Sequence, residues 1–288
     1  MGRQKKHTKT QTSVGTVMQF WNEHPDNIHL SQMELGSREY FDEVEARKHL
    51  VEPHIKQFAQ FPRWQGKHIL EIGCGIGTDA INFARHGARV TAIDLSETSL
   101  ELTRRRARIY GLENRIDFYQ ANAEQLTLTV PPQPYDLIYA FGVIHHTPNP
   151  ERSIDQIRYY LKPGSVVKIM VYNKYSWRAF SILMNHGKGR PWKMPEFISR
   201  YSEATEGCPV THVFTKRRIR KLLEHHGLTD INIWTDHIFP YRVADFAEYR
   251  YIQTLPVRLI PNLLFRWFER RYGWHLCVTA RVPQIEIR

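Results

Sequence analysis

The chain has 288 residues, 42% hydrophobic, 24% charged and 12% aromatic, which is ordinary globular usage and excludes collagen-like and disordered classes. Forty Lys and Arg against 29 Asp and Glu leave a net charge of +11, a balance that favours anionic partners: nucleic acid, an anionic membrane surface or an acidic small molecule. The length is about twice that of a typical domain, but one elaborated α/β unit can use it.

Three cysteines, Cys74, Cys208 and Cys277, are far apart and form no CxxC pair, so neither a disulfide framework nor a zinc site is written in the spacing. Reduced thiols in a cytoplasmic protein are expected. The basic start MGRQKKHTKTQTS has no apolar stretch behind it and does not read as a secretory signal. No run of about 18 apolar residues occurs, so no transmembrane segment is expected.

In chain order, residues 1–13 read as a solvated basic tail and 14–65 as an N-terminal helical cap segment. Within the latter, Tyr40, Phe41, Val44, Leu50 and Val51 mark a helix between Ser37 and Phe61 that Pro53 bends or restarts. Residues 66–172 then alternate strand and helix. His68–Ile72 is a short apolar strand, followed by the glycine loop Gly73–Gly77 and a helix over Ala80–Arg85. Val90–Ile93 is a second strand closed by Asp94. Ser96 caps a helix running to Tyr110, with Gly111 just past its end. Ile116–Tyr119 is strand three, Leu137–Phe141 strand four, Glu151–Leu161 a helix stopped by Pro163 and Gly164, and Val166–Val171 strand five.

Residues 173–214 break the alternation as an inserted cap segment. The remainder, 215–288, resumes the core: a helix over Lys216–His226 between Thr215 and Gly227, strands near Asn232–Thr235 and His275–Ala280, and a helical insertion at 237–272. Strands joined by helices of this length require right-handed parallel crossovers. The expected fold is a doubly wound, mostly parallel seven-stranded Rossmann-like α/β sheet with helical cap insertions, its ligand lying outside the carboxyl ends of the strands.

The segment HILEIGCGIGTD carries the most information. A buried strand runs into Gly73, Gly75 and Gly77 at alternate positions and then into a helix, so the backbone can turn tightly and approach a ligand. The spacing departs from G-x-G-x-x-G, which disfavours a nicotinamide cofactor. Asp94 falls 21 residues after Gly73 at the end of the next strand, where a carboxylate can accept both hydroxyls of a ribose.

On EIGCGIG, VTAIDLS and YDLIYAFGVIHHTPNPERSIDQIRYYLKPGS, the chain resembles the class I S-adenosylmethionine-dependent methyltransferases, in particular the ubiquinone and menaquinone methylase group. The resemblance covers roughly Gly66–Tyr172, with a weaker match at the last two strands. It implies S-adenosyl-L-methionine as cofactor, S-adenosyl-L-homocysteine as product, and methylation of an O, N or C atom of a small molecule. It further implies that Gly73 and Gly75 contact the methionine part within a loop completed by Cys74 and Gly77. Asp94 would hold the ribose, Leu95 flank the adenine and Glu71 support the loop. Where the family carries Asp, this chain has Asn122 before Ala123, and an amide oxygen can still accept the adenine hydrogen bond. Phe141 and Gly142 would line the path to the methyl group.

His145 and His146 follow strand four beside the methyl position that the resemblance implies and are the candidate bases. Tyr40, Phe41, Tyr172, Asn173, Tyr175 and Arg178 are candidates for substrate contact, with core packing the competing reading of the aromatic ones. No metal is expected, because no carboxylate accompanies His145. The absence of a [DN]-P-P-[YFW] segment argues against a base-flipping nucleic-acid enzyme. The basic runs RRRAR (Arg104–Arg108) and KRRIRK (Lys216–Lys221) keep an RNA or protein substrate as an alternative, although a solvated helix face accounts for them. Leu255–Trp274 interleaves Leu, Phe, Trp and Arg as an interfacial helix would, and this keeps a membrane-surface enzyme acting on a lipid or quinone precursor as another alternative. Its two prolines favour a buried cap element.

Overall fold

The computed structural model describes residues 12–202 and 208–283, so the first eleven residues of the basic tail lie outside it. In chain order the elements are α1 (Val14–Glu23), α2 (Arg38–Val51), α3 (His54–Ala59), β1 (His68–Ile72), α4 (Thr78–Arg85), β2 (Arg89–Asp94), α5 (Glu97–Ile109), β3 (Ile116–Gln120), β4 (Tyr135–Phe141), α6 (Pro150–Ile157), β5 (Leu161–Tyr172), α7 (Trp177–His186), α8 (Met194–Tyr201), α9 (Lys216–His225), β6 (Thr229–Asp236), α10 (Val243–Ala247), α11 (Leu255–Leu259), α12 (Asn262–Tyr272) and β7 (His275–Arg281). The seven strands form one sheet, as the alternation predicts, and their order is β3-β2-β1-β4-β5-β7-β6.

The first five strands are parallel and β7 is antiparallel to both neighbours. Strand order reverses between β1 and β4, the switch point where a crevice opens at the carboxyl ends. The antiparallel run of β7 has a further consequence: its first residue, His275, pairs with Tyr172 at the end of β5 and with Asp236 at the end of β6. The start of β7 therefore lies at the edge where the other strands end.

Local chemistry accounts for several element boundaries. Ser37, Ser96, Ser176 and Thr215 each accept a backbone N–H of the first turn of α2, α5, α7 and α9, satisfying donors that a helix start leaves open. Proline 53 separates α2 from α3 as expected. Two layers of apolar side chains bury the sheet: one under α6 and α9 around Leu70, Ile138 and Val278, the other under α3, α4 and α5 around Ile69, Phe83 and Tyr139.

Three sequence expectations are corrected. Helix α6 ends at Ile157, and β5 begins already at Leu161. Pro163 and Gly164 thus lie inside a strand, in an irregularity of the β4–β5 register. There Ser165 donates to the Tyr135 carbonyl, and Gly164, at φ +82°, donates its N–H to the Val282 carbonyl. The run RRRAR is not one solvated face. Arg106 is fully buried and donates to Thr78, Glu45 and the Phe41 carbonyl, tying α2 to the start of α4. The segment from Leu255 is also not a buried cap throughout. Leu259, Leu263 and Trp267 are exposed, while Phe265 and Phe268 of the same helix pair face an internal cavity.

Candidate active site

A cavity of about 1030 Å³ opens at the switch point and runs along the carboxyl edge of the sheet. That is at the upper end of the ~300–1,000 Å³ of small-molecule sites. Its floor is made by Glu71 of β1 and Gly73, Cys74 and Gly75 after it, Asp94 at the end of β2 and Leu95 after it, Asn122 and Ala123 after β3, Phe141 at the end of β4 and Gly142 after it, and Tyr172 at the end of β5. Val14, Val17 and Trp21 of α1, Arg47 and Lys48 of α2, and residues of the 237–272 insertion cover it.

The glycine loop is held on β2, with the N–H groups of Gly73 and Cys74 both donating to the Ile93 carbonyl. Its glycines are needed for different reasons. All three have positive φ, but a Cβ on Gly73 would stand 2.2 Å from a Val143 methyl and one on Gly77 would stand 2.7 Å from Thr103, whereas one on Gly75 would meet nothing within 4 Å. Gly73 and Gly77 permit close packing, and Gly77 does not line the cavity. Gly75 presents open backbone to a ligand.

Asp94 is anchored on both oxygens: Oδ2 accepts the Gly75 N–H at 2.9 Å and Oδ1 the Ser96 N–H at 2.8 Å. Burial pushes its pKa up to about 6, against the pull of those N–H donors. Glu71 lies deeper, with Oε2 buried and without a hydrogen-bond partner. Burial, then Asp79, raise its pKa well above the carboxylate range, with Lys48 opposing. Lys48 enters from the buried face of α2 and sits 3.8 Å from Asp79 Oδ2. Burial works against its charge, but Asp79, Glu52, Asp26 and Glu71 hold its pKa above the ordinary lysine value. Asn122 lines the cavity while its Oδ1 accepts the Glu124 N–H.

The two histidines after β4 separate. His146 lines the cavity with its Nδ1 3.0 Å from the Val210 carbonyl. A carbonyl accepts only, so the proton is on Nδ1 and Nε2 is the basic nitrogen. Burial lowers its pKa to about 4. His145 is fully buried outside the cavity wall, its ring 3.8 Å from that of Tyr172, and burial holds it well below the ordinary imidazole value.

Among the remaining candidates, Tyr172 and Arg178 line the cavity. Arg178 donates to the Tyr201 and Ser202 carbonyls. Tyr40 and Phe41 are core residues of the cap, the Tyr40 hydroxyl donating to the Ile28 carbonyl. Asn173 is buried and donates to the Gly273 carbonyl, and Tyr175 is exposed away from the cavity.

Sequence reading missed several residues of the site. Lys48 continues the buried series Tyr40–Val44 by four, a charge on a helix's apolar stripe that was available as a signal. Trp21 packs its edge on His146 at 5.4 Å. His54, His237 and His275 lie together at the far end, with ligating atoms within 4.8 Å of one another. They come from α3, the turn after β6 and the start of β7, so no spacing motif announces them.

The sheet order with its reversed β7, the open Gly75 backbone and the acidic end of β2 together define the class I S-adenosylmethionine-dependent methyltransferase architecture. Residues 44–233 match the methyltransferase-domain family, and the chain belongs to that family. The ubiquinone biosynthesis O-methyltransferase of Coxiella burnetii (strain Dugway 5J108-111) is 32% identical over 127 residues, which are 44% of this chain and 53% of that protein. The chain thus spans about half the length of that curated relative. Among solved structures, magnesium protoporphyrin IX methyltransferase from Synechocystis PCC 6803 with bound SAH superposes with a TM-score of 0.57 at 13% identity, over 94% of this chain and 100% of that one. The cyclase SpnF superposes with a TM-score of 0.56 at 18% identity, over 95% and 98%. These two likenesses establish the fold.

S-adenosylmethionine is the cofactor of this family, and the residues present fit it. The cofactor brings an ammonium and a ribose diol as donors, and the cavity offers the unpartnered Glu71 Oε2, the anchored Asp94 carboxylate and open space beside Gly75.

Proposed function

We propose that this protein methylates a hydroxyl oxygen of a small molecule enclosed between the glycine loop and the aromatic far end of the cavity. The carrying observation is the continuity of the cavity from Asp94 to Tyr172, Trp274 and His275 under α1 and the 237–272 insertion, a space suited to a cofactor and a small acceptor. The Coxiella relative is named for O-methylation, which favours oxygen over nitrogen or carbon.

S-adenosylmethionine supplies an electrophilic methyl group on a sulfonium. Its transfer breaks the carbon–sulfur bond, forms a carbon–oxygen bond and leaves neutral S-adenosylhomocysteine and one proton. The chain's part is largely alignment and exclusion of water. Asp94 holds the ribose, Glu71 and Gly75 the methionine end, Asn122 and Leu95 the adenine, and Phe141 with Gly142 the approach to the methyl group. His146, neutral at pH 7 with a basic Nε2, takes the hydroxyl proton. His145, behind Tyr172, supports that wall.

Calorimetric titration with S-adenosylhomocysteine tests the assignment. Binding is expected to weaken on Asp94→Ala by a charge-assisted hydrogen-bond contribution of about 1.5–3 kcal/mol; equal affinity of the two proteins overturns the ribose role.

A second reading is favoured by one surface. Leu259, Leu263, Leu264 and Trp267 of α11–α12 and Trp177, Phe180 and Met184 of α7 are exposed, and the Trp177 and Phe268 rings touch at 5.9 Å. Trp177 and Ile260 are both exposed and cavity-lining, so the mouth opens within this apolar patch. Arg258, Arg270 and Arg271 flank it. An enzyme drawing a lipid-borne acceptor from an anionic membrane would present such a surface. No helix among the described residues is long and apolar enough to cross a membrane. We place the reaction in the cytoplasm, in keeping with three buried free thiols.

A further inference from the structure

We propose that His54, His237 and His275, with the Glu52 carboxylate, form a binding site for one divalent transition-metal ion of the imidazole-preferring kind, zinc foremost, at the acceptor end of the cavity. His54 Nε2 stands 3.0 Å from His275 Nδ1, and Glu52 Oε1 stands 3.6 Å from the same nitrogen. Donors bound tetrahedrally at the 2.0–2.1 Å of zinc–imidazole bonds are about 3.3 Å apart. Two of the edges of such a site are therefore already close to their final length. His237, whose ring stacks on that of His275 at 4.5 Å, completes a set of ligating atoms within 4.8 Å.

The surroundings are those of a supported site. His54 Nδ1, on the far side of the ring from the cluster, is buried without a hydrogen-bond partner and lies 3.7 Å from Asp236 Oδ1. Closing that gap to hydrogen-bond distance would make the carboxylate–histidine pair that orients a metal-ligating imidazole. Asp236 also accepts the His237 backbone N–H at 2.8 Å, and His237 is held at φ +73°, a region that a non-glycine residue occupies at a cost. The strain turns the chain so that His237 joins the other two rings. Glu52, His237 and His275 all line the cavity, and the His54 and His275 rings lie 6.0 and 5.7 Å from that of Phe141. Three imidazoles and one carboxylate suit zinc, with nickel and iron(II) next; a hard oxygen-seeking ion such as magnesium finds too few oxygens here.

The site's role rests on the methyltransferase reading: an ion there would gather an acceptor bearing a metal-ligating oxygen beside the methyl path and lower that oxygen's pKa. Its existence does not depend on that reading. Metal-stripped full-length protein should be titrated with Co²⁺, followed by visible absorption and by metal analysis after gel filtration, with S-adenosylhomocysteine binding measured in parallel. One equivalent of Co²⁺ displaced by Zn²⁺ is expected. His54→Gln and His237→Ala should each lose the absorption bands, and Asp236→Asn should weaken affinity by about 10–100-fold. S-adenosylhomocysteine binding should persist in all three. Wild-type protein that takes up no Co²⁺, or variants that keep its stoichiometry and spectrum, would overturn the site. Metal binding without S-adenosylhomocysteine binding would instead leave the site standing and remove the methyltransferase reading.

Discussion

Single residues of the cavity do their work through burial and through what it leaves them to bond with. Asp94 is pushed up to about 6 by burial, so S-adenosylhomocysteine binding that requires the carboxylate has a defined pH dependence. Below that value the free protein holds a proton which binding must release, and affinity should fall by about tenfold per pH unit. Above it the dependence should be flat; calorimetry across pH 5 to 8 checks this, and equal affinity at both ends would contradict it. For folding the sign is opposite. A carboxylic acid whose pKa is raised in the folded state contributes most stability when protonated, and that contribution declines as pH rises from the model-peptide value through about 6. His146, lowered to about 4, stays neutral over this range. His146→Gln should reduce kcat by roughly 10²-fold, the lower end of general-base effects, with S-adenosylhomocysteine affinity unchanged. An unchanged kcat would assign proton removal elsewhere.

At the scale of elements, buried cations join the caps to one another and to the core. Arg47 of α2 donates to the Phe246 carbonyl of α10 and lies over the Phe246 and Tyr249 rings at 4.3 and 3.6 Å; Arg106 of α5 binds Glu45 of α2 at 2.8 Å. Two segments distant in sequence thus close over one ligand space. The outer face of α11–α12 is apolar and exposed, Leu263 by 83% and Trp267 by 63%, so the paired change Leu263→Glu with Trp267→Glu should abolish flotation with anionic liposomes. Flotation unchanged by the pair, or absent from the unaltered protein, would remove the membrane-surface reading. The nucleotide side of the site was legible because strand, glycine loop and acidic strand end are contiguous. The acceptor side was not. Its residues belong to α3, the turn after β6 and the first residue of β7; the antiparallel pairing of β7 joins the last two, and the packing of α3 adds the first. Arg106 escapes the pattern for a related reason: the other arginines of the run, Arg104, Arg105 and Arg108, are partly or fully exposed, and only tertiary packing of α2 on α5 buries it.

For the whole molecule, the sheet order and the family match establish the family of the chain, and the segments at either end of the cavity shape the space it encloses. Helix α1 places Trp21 against His146 and Asn22 against Ser96, and the 237–272 insertion closes the opposite side. A cavity so covered suits a small acceptor better than a polymer, while the exposed basic residues of α9 lie on a solvated helix face, as their spacing predicts. The measurement that tests this most directly is incubation of the protein with methyl-labelled S-adenosylmethionine and a cell extract from its source, followed by separation of low-mass, lipid, RNA and protein fractions. Label in the low-mass or lipid fraction, lost on Asp94→Ala, is the predicted result. Label confined to RNA or protein, or no transfer by a protein that binds S-adenosylhomocysteine, would contradict the account.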